Sequence, residues 1–235
     1  MSFPFPGFPA SDSEAVKPPS DRATMPLQLR ARPFGLYRSV FKRVLDVTAI
    51  LLAAPVVAPV IAGLALGVAI DGGKPFYSQL RVGRGGATFR MWKLRSMVRD
   101  ADAQMADLLQ RDPAARAEWN STQKLRNDPR ITRFGQFLRR SSLDELPQLW
   151  NVLNGSMSLV GPRPMMLDQR ELYPGTAYYV IRPGITGYWQ TAGRNRTTFR
   201  ARAEYDTVYE EGLALTTDLR ILWRTVSVVL NGTGC

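Results

Sequence analysis

The longest pattern in the chain is apolar. From Val47 to Ile70, in VTAILLAAPVVAPVIAGLALGVAI, no position carries a charge. As a straight helix this stretch would run roughly 36 Å, enough to cross a bilayer core. Pro55 and Pro59 lie inside it, and each removes a helical hydrogen bond and crowds the preceding turn. The flanks agree in sign: Arg38, Lys42 and Arg43 before it, Arg81, Arg84, Arg90, Lys93 and Arg95 after it. Basic flanks favour the cytoplasmic side of a membrane. A single-pass helix satisfies the length alone. A helix over 38–73 that enters, breaks at Pro55 and Pro59 and leaves on the same side satisfies the flanks as well.

Other patterns are shorter. Residues 1–37 carry scattered prolines and no helical or strand period, which predicts a disordered arm. KPFYSQLRVGRGGATFRMWKLRSM alternates apolar and polar positions around Gly83, Gly85 and Gly86, a β-hairpin pattern. Ala101, Met105 and Leu108 mark a helical stripe, with Asp112-Pro113 and Asp128-Pro129 as punctuation. Ile131–Arg140 predicts a basic amphipathic helix, suited either to anionic headgroups or to solvent. IRPGITGYWQTAGRN predicts a Gly/Pro-rich loop bearing Tyr188 and Trp189. In the last helix, around Asp218–Leu230, Leu215, Leu219, Leu222, Val226 and Val229 recur at helical spacing, for core or interface. The fold class expected is α+β, predominantly helical, with residues 74–235 as one domain.

Composition narrows the chemistry. The 235 residues carry a net charge of +11, which favours anionic partners: nucleic acid, lipid headgroups or phosphorylated substrates. No nucleic-acid motif occurs, and neither does a Walker loop. There is no histidine, and the one cysteine is Cys235. Histidine triads, histidine shuttles and cysteine clusters are therefore excluded. Carboxylates, Lys/Arg, hydroxyls and a hard, oxygen-bound ion such as Mg²⁺ remain.

The segment SSLDELPQLWNVLNGSMSLVGPRP places Asp144 and Glu145 side by side before Pro147. Ser142 to Glu145 fits a capping box, but that start would put Pro147 fifth in the helix. Asp144 as N-cap puts the proline within the first turn, with both acids at the positive end of the helix dipole. Two ionised neighbours repel, and a divalent cation beside them relieves this. Arg139, Arg140 and Arg163 lie near in sequence. Carboxylate, Mg²⁺ and arginine together suit phosphoryl transfer, in which a carboxylate can also act as nucleophile.

These residues also resemble a known family. KRVLD (42–46), FYSQLRVGRGGATFRMWKLRSM (76–97), SLDELPQLWNVLNGSMSLVGPRP (142–164), RPGITGYWQTAGRN (182–195) and Tyr205-Asp206…Tyr209 occur in the order found in the bacterial sugar transferases, the monotopic phosphoglycosyl transferases. The resemblance runs from about Phe41 to Gly234. It implies that Asp144 is a nucleophile attacking the sugar-linked phosphate of a UDP-sugar, expelling UMP and holding a covalent phosphosugar. Undecaprenyl phosphate then accepts the sugar phosphate, initiating exopolysaccharide synthesis.

By the same resemblance Glu145 is the Mg²⁺ ligand, and Arg139 and Arg163 contact phosphate. Lys93 and Arg95 face the same anions, with Asp206, Arg194 and Asn195 as further candidates. The re-entrant helix breaks at a Ser-Pro pair in the family; counting from Asp46, Ala58-Pro59 takes that place, without the serine. Leu94 stands where the family has an aromatic residue. The implied setting is the cytoplasmic face of the bacterial inner membrane, against anionic lipids, with a homodimer allowed. The nearest layout, among short exopolysaccharide-initiating members, points to UDP-galactose or UDP-glucose. The alternative is a non-enzymatic basic adaptor tethered to the membrane.

Overall fold

The computed structural model describes residues 35–70, 72–122, 125, 127–192 and 199–230. Residues 1–34 of the expected arm, and Arg194 and Asn195, lie outside the described residues. A π-helical turn at Tyr37–Phe41 leads directly into helix α1, Lys42–Ile70. Together they form a 34-residue helix containing an 18-residue stretch of mean hydropathy 2.4. Pro55 and Pro59 lie within α1, and the helix continues through both. The expected break is therefore not present as an interruption. Each proline deletes a single donor, a loss that a long apolar helix tolerates without ending.

Both ends of α1 are fixed to one domain. Near its start, the Asp46 carboxylate accepts from the Ser158 hydroxyl at 2.7 Å and from the Leu159 N–H at 3.1 Å. One turn later Ile50 packs with Met91, Val152 and Met157. Near its end, Ala65 and Val68 pack with Leu94 and Leu138. Between these anchors Leu51, Leu52, Val56 and Val60 are exposed.

The predicted hairpin forms. Strands β1 (Phe76–Val82) and β2 (Thr88–Leu94) pair antiparallel, from Phe76↔Leu94 to Val82↔Thr88. Gly85 and Gly86 turn the chain at φ 68° and 80°, values that residues with a Cβ rarely adopt. Helices α2 (Ala101–Arg111) and α3 (Pro113–Thr122) meet at Asp112, whose carboxylate accepts from the N–H groups of Ala114 and Ala115. With Pro113 in the first helical position, this is the stop-and-start that Asp-Pro predicts. Helix α4, Arg133–Arg140, begins two residues after Ile131, because Thr132 caps it by accepting from Gly135 N–H at 2.9 Å.

Helix α5 covers Gln148–Leu153, and strand β3 covers Ser158–Val160. After helix α6 (Ala177–Val180), strand β4 (Gly184–Thr186) pairs parallel with β3, in the register Ser158↔Gly184 and Val160↔Thr186. Helix α7 is Tyr188–Ala192. The expected Gly/Pro-rich loop is thus a strand followed by a helical turn. Gly161 N–H donates to Thr186 O and Gly184 N–H to Pro162 O, both at 2.8 Å, and this distant partner orders the segment.

Helices α8 (Arg202–Glu211) and α9 (Leu215–Leu230) complete the described chain. In α9 the apolar stripe faces outward: Leu215, Leu219, Trp223 and Val226 are exposed, while Asp218 and Ile221 are buried. Asp218 is satisfied by Lys42 Nζ at 2.6 Å and by the hydroxyls of Tyr37 at 2.6 Å and Tyr209 at 2.7 Å. A fully paired carboxylate can therefore occupy the core side of α9, leaving Leu215 and Leu219 outside while Leu222 packs beside Ile221.

Candidate active site

The two acids do not cap a helix. Leu143–Glu145 forms a 3₁₀ turn, and Pro147 is itself the N-cap of the six-residue α5. Glu145 N–H reaches Ser142 O at 3.2 Å and Leu146 N–H reaches Leu143 O at 3.3 Å. Pro147 has no N–H, so the helical ladder restarts only after it, with Leu149 N–H on Leu146 O at 3.0 Å. The expected start at Asp144 is overturned, and with it the assignment of both acids to the positive end of a helix. Ser142, before the turn, is left-handed at φ 57°, a strain of about 1–2 kcal/mol for a residue with a Cβ. Strain of this kind concentrates at functional sites.

Basic side chains take the place of the helix dipole. Lys93 Nζ lies 2.7 Å from Glu145 Oε1 and 3.5 Å from Asp144 Oδ2. Arg163 Nη2 lies 3.8 Å from the same Glu145 oxygen. Arg139, one turn upstream on α4, donates from Nε to Ser96 Oγ at 2.8 Å. A Cβ at Gly135 would lie 2.0 Å from Ser96 O, so only glycine lets α4 come this close to the segment after β2. Arg95 turns elsewhere: it donates to Val68 O at 3.0 Å and secures the end of α1. The structure thus brings Lys93, Arg139 and Arg163 around the acids and gives Arg95 to the helix.

The surroundings separate the two carboxyls. Burial raises Asp144 above its ordinary value; Glu145 adds to this, and Lys93 and Arg139 oppose it. Burial also pushes Glu145 up, but Lys93, Arg163 and Arg81 outweigh it and hold Glu145 at about 2. One acid is therefore firmly anionic, and the charge of the other depends on Lys93 and Arg139. Arg139 is itself lowered, first by burial and then by Arg130, against the pull of Asp144 and Asp128.

A cavity of about 420 Å³ starts at Leu146 and Pro147, the residues after the acids. Ala54, Val57 and Ile61 of α1, Trp92 of β2 and Trp150 of α5 line it, and every lining residue is apolar. Asp206, the other acidic candidate, lies in a separate cleft with Arg163 and Arg202. Burial raises it to about 7 against the Tyr173 hydroxyl, which donates to it at 2.8 Å, and against Arg202.

A family model described as bacterial sugar transferase matches residues 37–232. The chain belongs to the bacterial sugar transferase family. It is 45% identical over 195 residues to a UDP-galactose-lipid carrier transferase of Erwinia amylovora, covering 82% of this chain and 41% of that protein. Identity to the undecaprenyl-phosphate galactose phosphotransferase of Salmonella typhimurium is also 45% over 195 residues, with the same coverage. With the exopolysaccharide production protein ExoY of Sinorhizobium fredii it is 41% over 202 residues, 84% of this chain and 88% of ExoY. The chain thus spans under half the length of the first two relatives and most of the third.

Several residues of this sugar transferase escaped the sequence reading. Asn151 is buried and clamps β2: its Oδ1 accepts from Trp92 N–H at 2.9 Å, and its Nδ2 donates to Arg90 O at 2.7 Å. That bond pattern fixes the strand beside Lys93, and a lone asparagine in a helix gives no sequence signal for it. Arg81 and Ser96 lie within the motif at 76–97 but carried no site role there, and Arg202, outside the quoted motifs, looked like a surface cation. For a metal, the donor set is limited: among the described residues no three His, Cys, Asp or Glu side chains cluster. Mg²⁺ commonly takes one or two carboxylates and completes its shell with water and substrate phosphate. The anionic Glu145 beside Asp144 fits an ion held in that way.

Proposed function

We propose that this protein transfers a sugar 1-phosphate from a UDP-sugar to undecaprenyl phosphate, through a covalent phosphosugar on Asp144, releasing UMP. The observation that carries this reading is a pair of adjacent carboxylates, Asp144 buried and Glu145 half-buried, bracketed by Lys93, Arg139 and Arg163, directly before Leu146 and Pro147 of an apolar cavity. The cations would hold phosphate and keep Asp144 ionised for attack on the sugar-bearing phosphorus. Arg163 and Lys93 reach Glu145, so phosphate bound there lies next to the nucleophile. Glu145 would hold Mg²⁺, which when bound supplies neutralisation of phosphate charge. The cavity suits the isoprenoid chain of the acceptor, since a chain gains about 0.8 kcal/mol per CH₂ that it buries. The names of the Erwinia and Salmonella relatives favour galactose. UMP release from UDP-galactose and UDP-glucose, with and without undecaprenyl phosphate, tests the reaction. In Asp144→Asn both turnover and the phosphosugar mass adduct are expected to vanish; a normal adduct in that variant removes Asp144 as nucleophile.

The same reading places the domain on the cytoplasmic face of the inner membrane. Supporting it, both ends of α1 anchor in one domain while its middle is exposed, as in a helix that enters and leaves on one side. The outward stripe Leu215, Leu219, Trp223 and Val226 on α9 would lie in the interface. In a Cys235→Ser background, cysteines at the exposed positions Ser39 and Arg84 should label from the cytoplasmic side only. Labelling from opposite sides restores a spanning helix.

A further inference from the structure

Arg163, beside the acid turn, and Arg81 and Arg202 near it have too few anions for their charge. Arg81, on β1, donates from Nη1 to Pro164 O at 3.3 Å, the residue after Arg163. Arg202, at the start of α8, stacks its guanidinium over the rings of Trp189 at 4.0 Å and Phe199 at 4.8 Å. Arg202 and Arg163 line one cleft with Asp206. The Nε atoms of Arg81 and Arg202 are buried without a hydrogen-bond partner. Burial, then Arg163, pushes each of these two arginines down to about 10. The nearby anions do not balance them: Glu145 is taken by Lys93 at 2.7 Å, against 3.8 Å for Arg163, and Asp206 is only partly ionised at neutral pH. Desolvated like charges with unpaired donors are costly unless an anion joins them.

We infer that Arg81, Arg163 and Arg202 together form the binding site for the phosphate of the leaving nucleotide. The inference rests on the transferase reading above. In that reaction a carboxylate oxygen of Asp144 bonds to the sugar-bearing phosphorus, and the bond from that phosphorus to the bridging oxygen breaks. The electron pair stays on the bridging oxygen, which leaves as part of the nucleotide phosphate, and no proton moves. The nucleotide therefore gains one negative charge as it departs. Fixed donors facing that oxygen stabilise the transition state more than the ground state. Arg163 links the two places: it faces Glu145 on one side and shares a cleft with Arg202 on the other. The stacked plane of Arg202 aims a rigid fork that a lysine cannot reproduce.

The test uses full-length protein in nanodiscs, with Arg202→Lys and Arg81→Lys beside the wild type, and thermal unfolding to verify that each is folded. Inhibition by added UMP, the KM for UDP-sugar, and discharge of preformed adduct by undecaprenyl phosphate are measured separately. The Ki of UMP and the donor KM should rise about tenfold or more in both variants, with the acceptor KM and adduct discharge unchanged. A UMP Ki at the wild-type value in both folded variants overturns the inference. A rise confined to the acceptor KM assigns the arginines to the lipid phosphate and also overturns it. UMP binding by calorimetry, with inorganic phosphate as comparison, needs no turnover and covers a variant that folds poorly in the assay. UMP binding weakened by Arg202→Lys in a protein that never turns over sinks the transferase reading alone. Equal affinity for inorganic phosphate and UMP overturns the nucleotide assignment.

Discussion

Lys93 should set the pH at which Asp144, the proposed nucleophile, ionises. Its Nζ lies 3.5 Å from Asp144 Oδ2, in a setting where burial already works against the carboxylate. Unit charges at that distance attract by about 5 kcal/mol at an effective dielectric of about 20. Lys93 is 22% exposed, and solvent and salt reduce this to about 2–3 kcal/mol. At 1.36 kcal/mol per pH unit, that corresponds to about two units. Lys93→Met keeps the aliphatic stem and removes the charge. The acid limb of the kcat/KM profile for UMP release should then move up by about two pH units, measured from about pH 5 to 9. Lost phosphate contact would lower the plateau without moving the limb, so the two effects separate. Lys93→Arg should leave the limb in place. An acid limb within about half a unit of wild type in Lys93→Met would show that Lys93 does not hold Asp144 ionised.

Two further outcomes follow from buried positions away from the acids. A Cβ at Gly161 would lie 2.3 Å from Arg182 O and 2.8 Å from Gly184 N, both backbone atoms. Gly161→Ala should cost about 1–3 kcal/mol in urea unfolding and displace Arg163, raising the donor KM; unchanged stability and KM would mean that the β3–β4 contact does not position Arg163. Asp206 has a folded-state value of about 7 against an ordinary 3.8, so the folded protein holds a proton that the unfolded chain has lost between these values. Its contribution to stability therefore falls by about 4 kcal/mol as pH rises from about 4 to 7 and is level above that. Asp206→Asn should remove this slope from the unfolding midpoint measured across pH; parallel curves for wild type and variant would contradict the assignment.

What the sequence revealed depended on how local each feature is. The hairpin was readable because strand alternation and the turn glycines lie within one short segment. The end of α2 and the start of α3 were readable because Asp112-Pro113 acts on neighbouring N–H groups. The acid turn was misplaced because the rule that tolerates proline early in a helix does not say whether the chain forms a 3₁₀ turn first. In α9 the spacing gave the helix and left its face open between core and interface; Leu215, Leu219 and Val226 turn outward, while Leu222 packs against the core. Asp218 is paired with Tyr37 of the π-helical turn, Lys42 at the start of α1 and Tyr209 of α8, and no pattern within α9 records them. Strand β4 was read as a loop because its partner β3 lies some 25 residues earlier, and a three-residue parallel strand carries almost no period of its own.

The lack of histidine then has a physical reading. Carboxylate attack on a diphosphate exchanges one anion for another: the nucleophile loses its charge and the leaving nucleotide gains it. No proton has to be delivered in that step, so a group titrating near neutrality brings little advantage. What the step needs is a fixed cationic field spanning the attacking and departing oxygens. Lys93 and Arg139 provide it at Asp144, and Arg163 extends it toward Arg81 and Arg202. In the proposed mechanism, acceptor attack on the adduct would run the same exchange in reverse, with the phosphate of the lipid supplying the charge and Asp144 recovering it. A site built from two carboxylates and several guanidinium groups would thus suffice for both half-reactions of the proposed mechanism, provided that Glu145 stays anionic and Asp144 is held ionised by its neighbours.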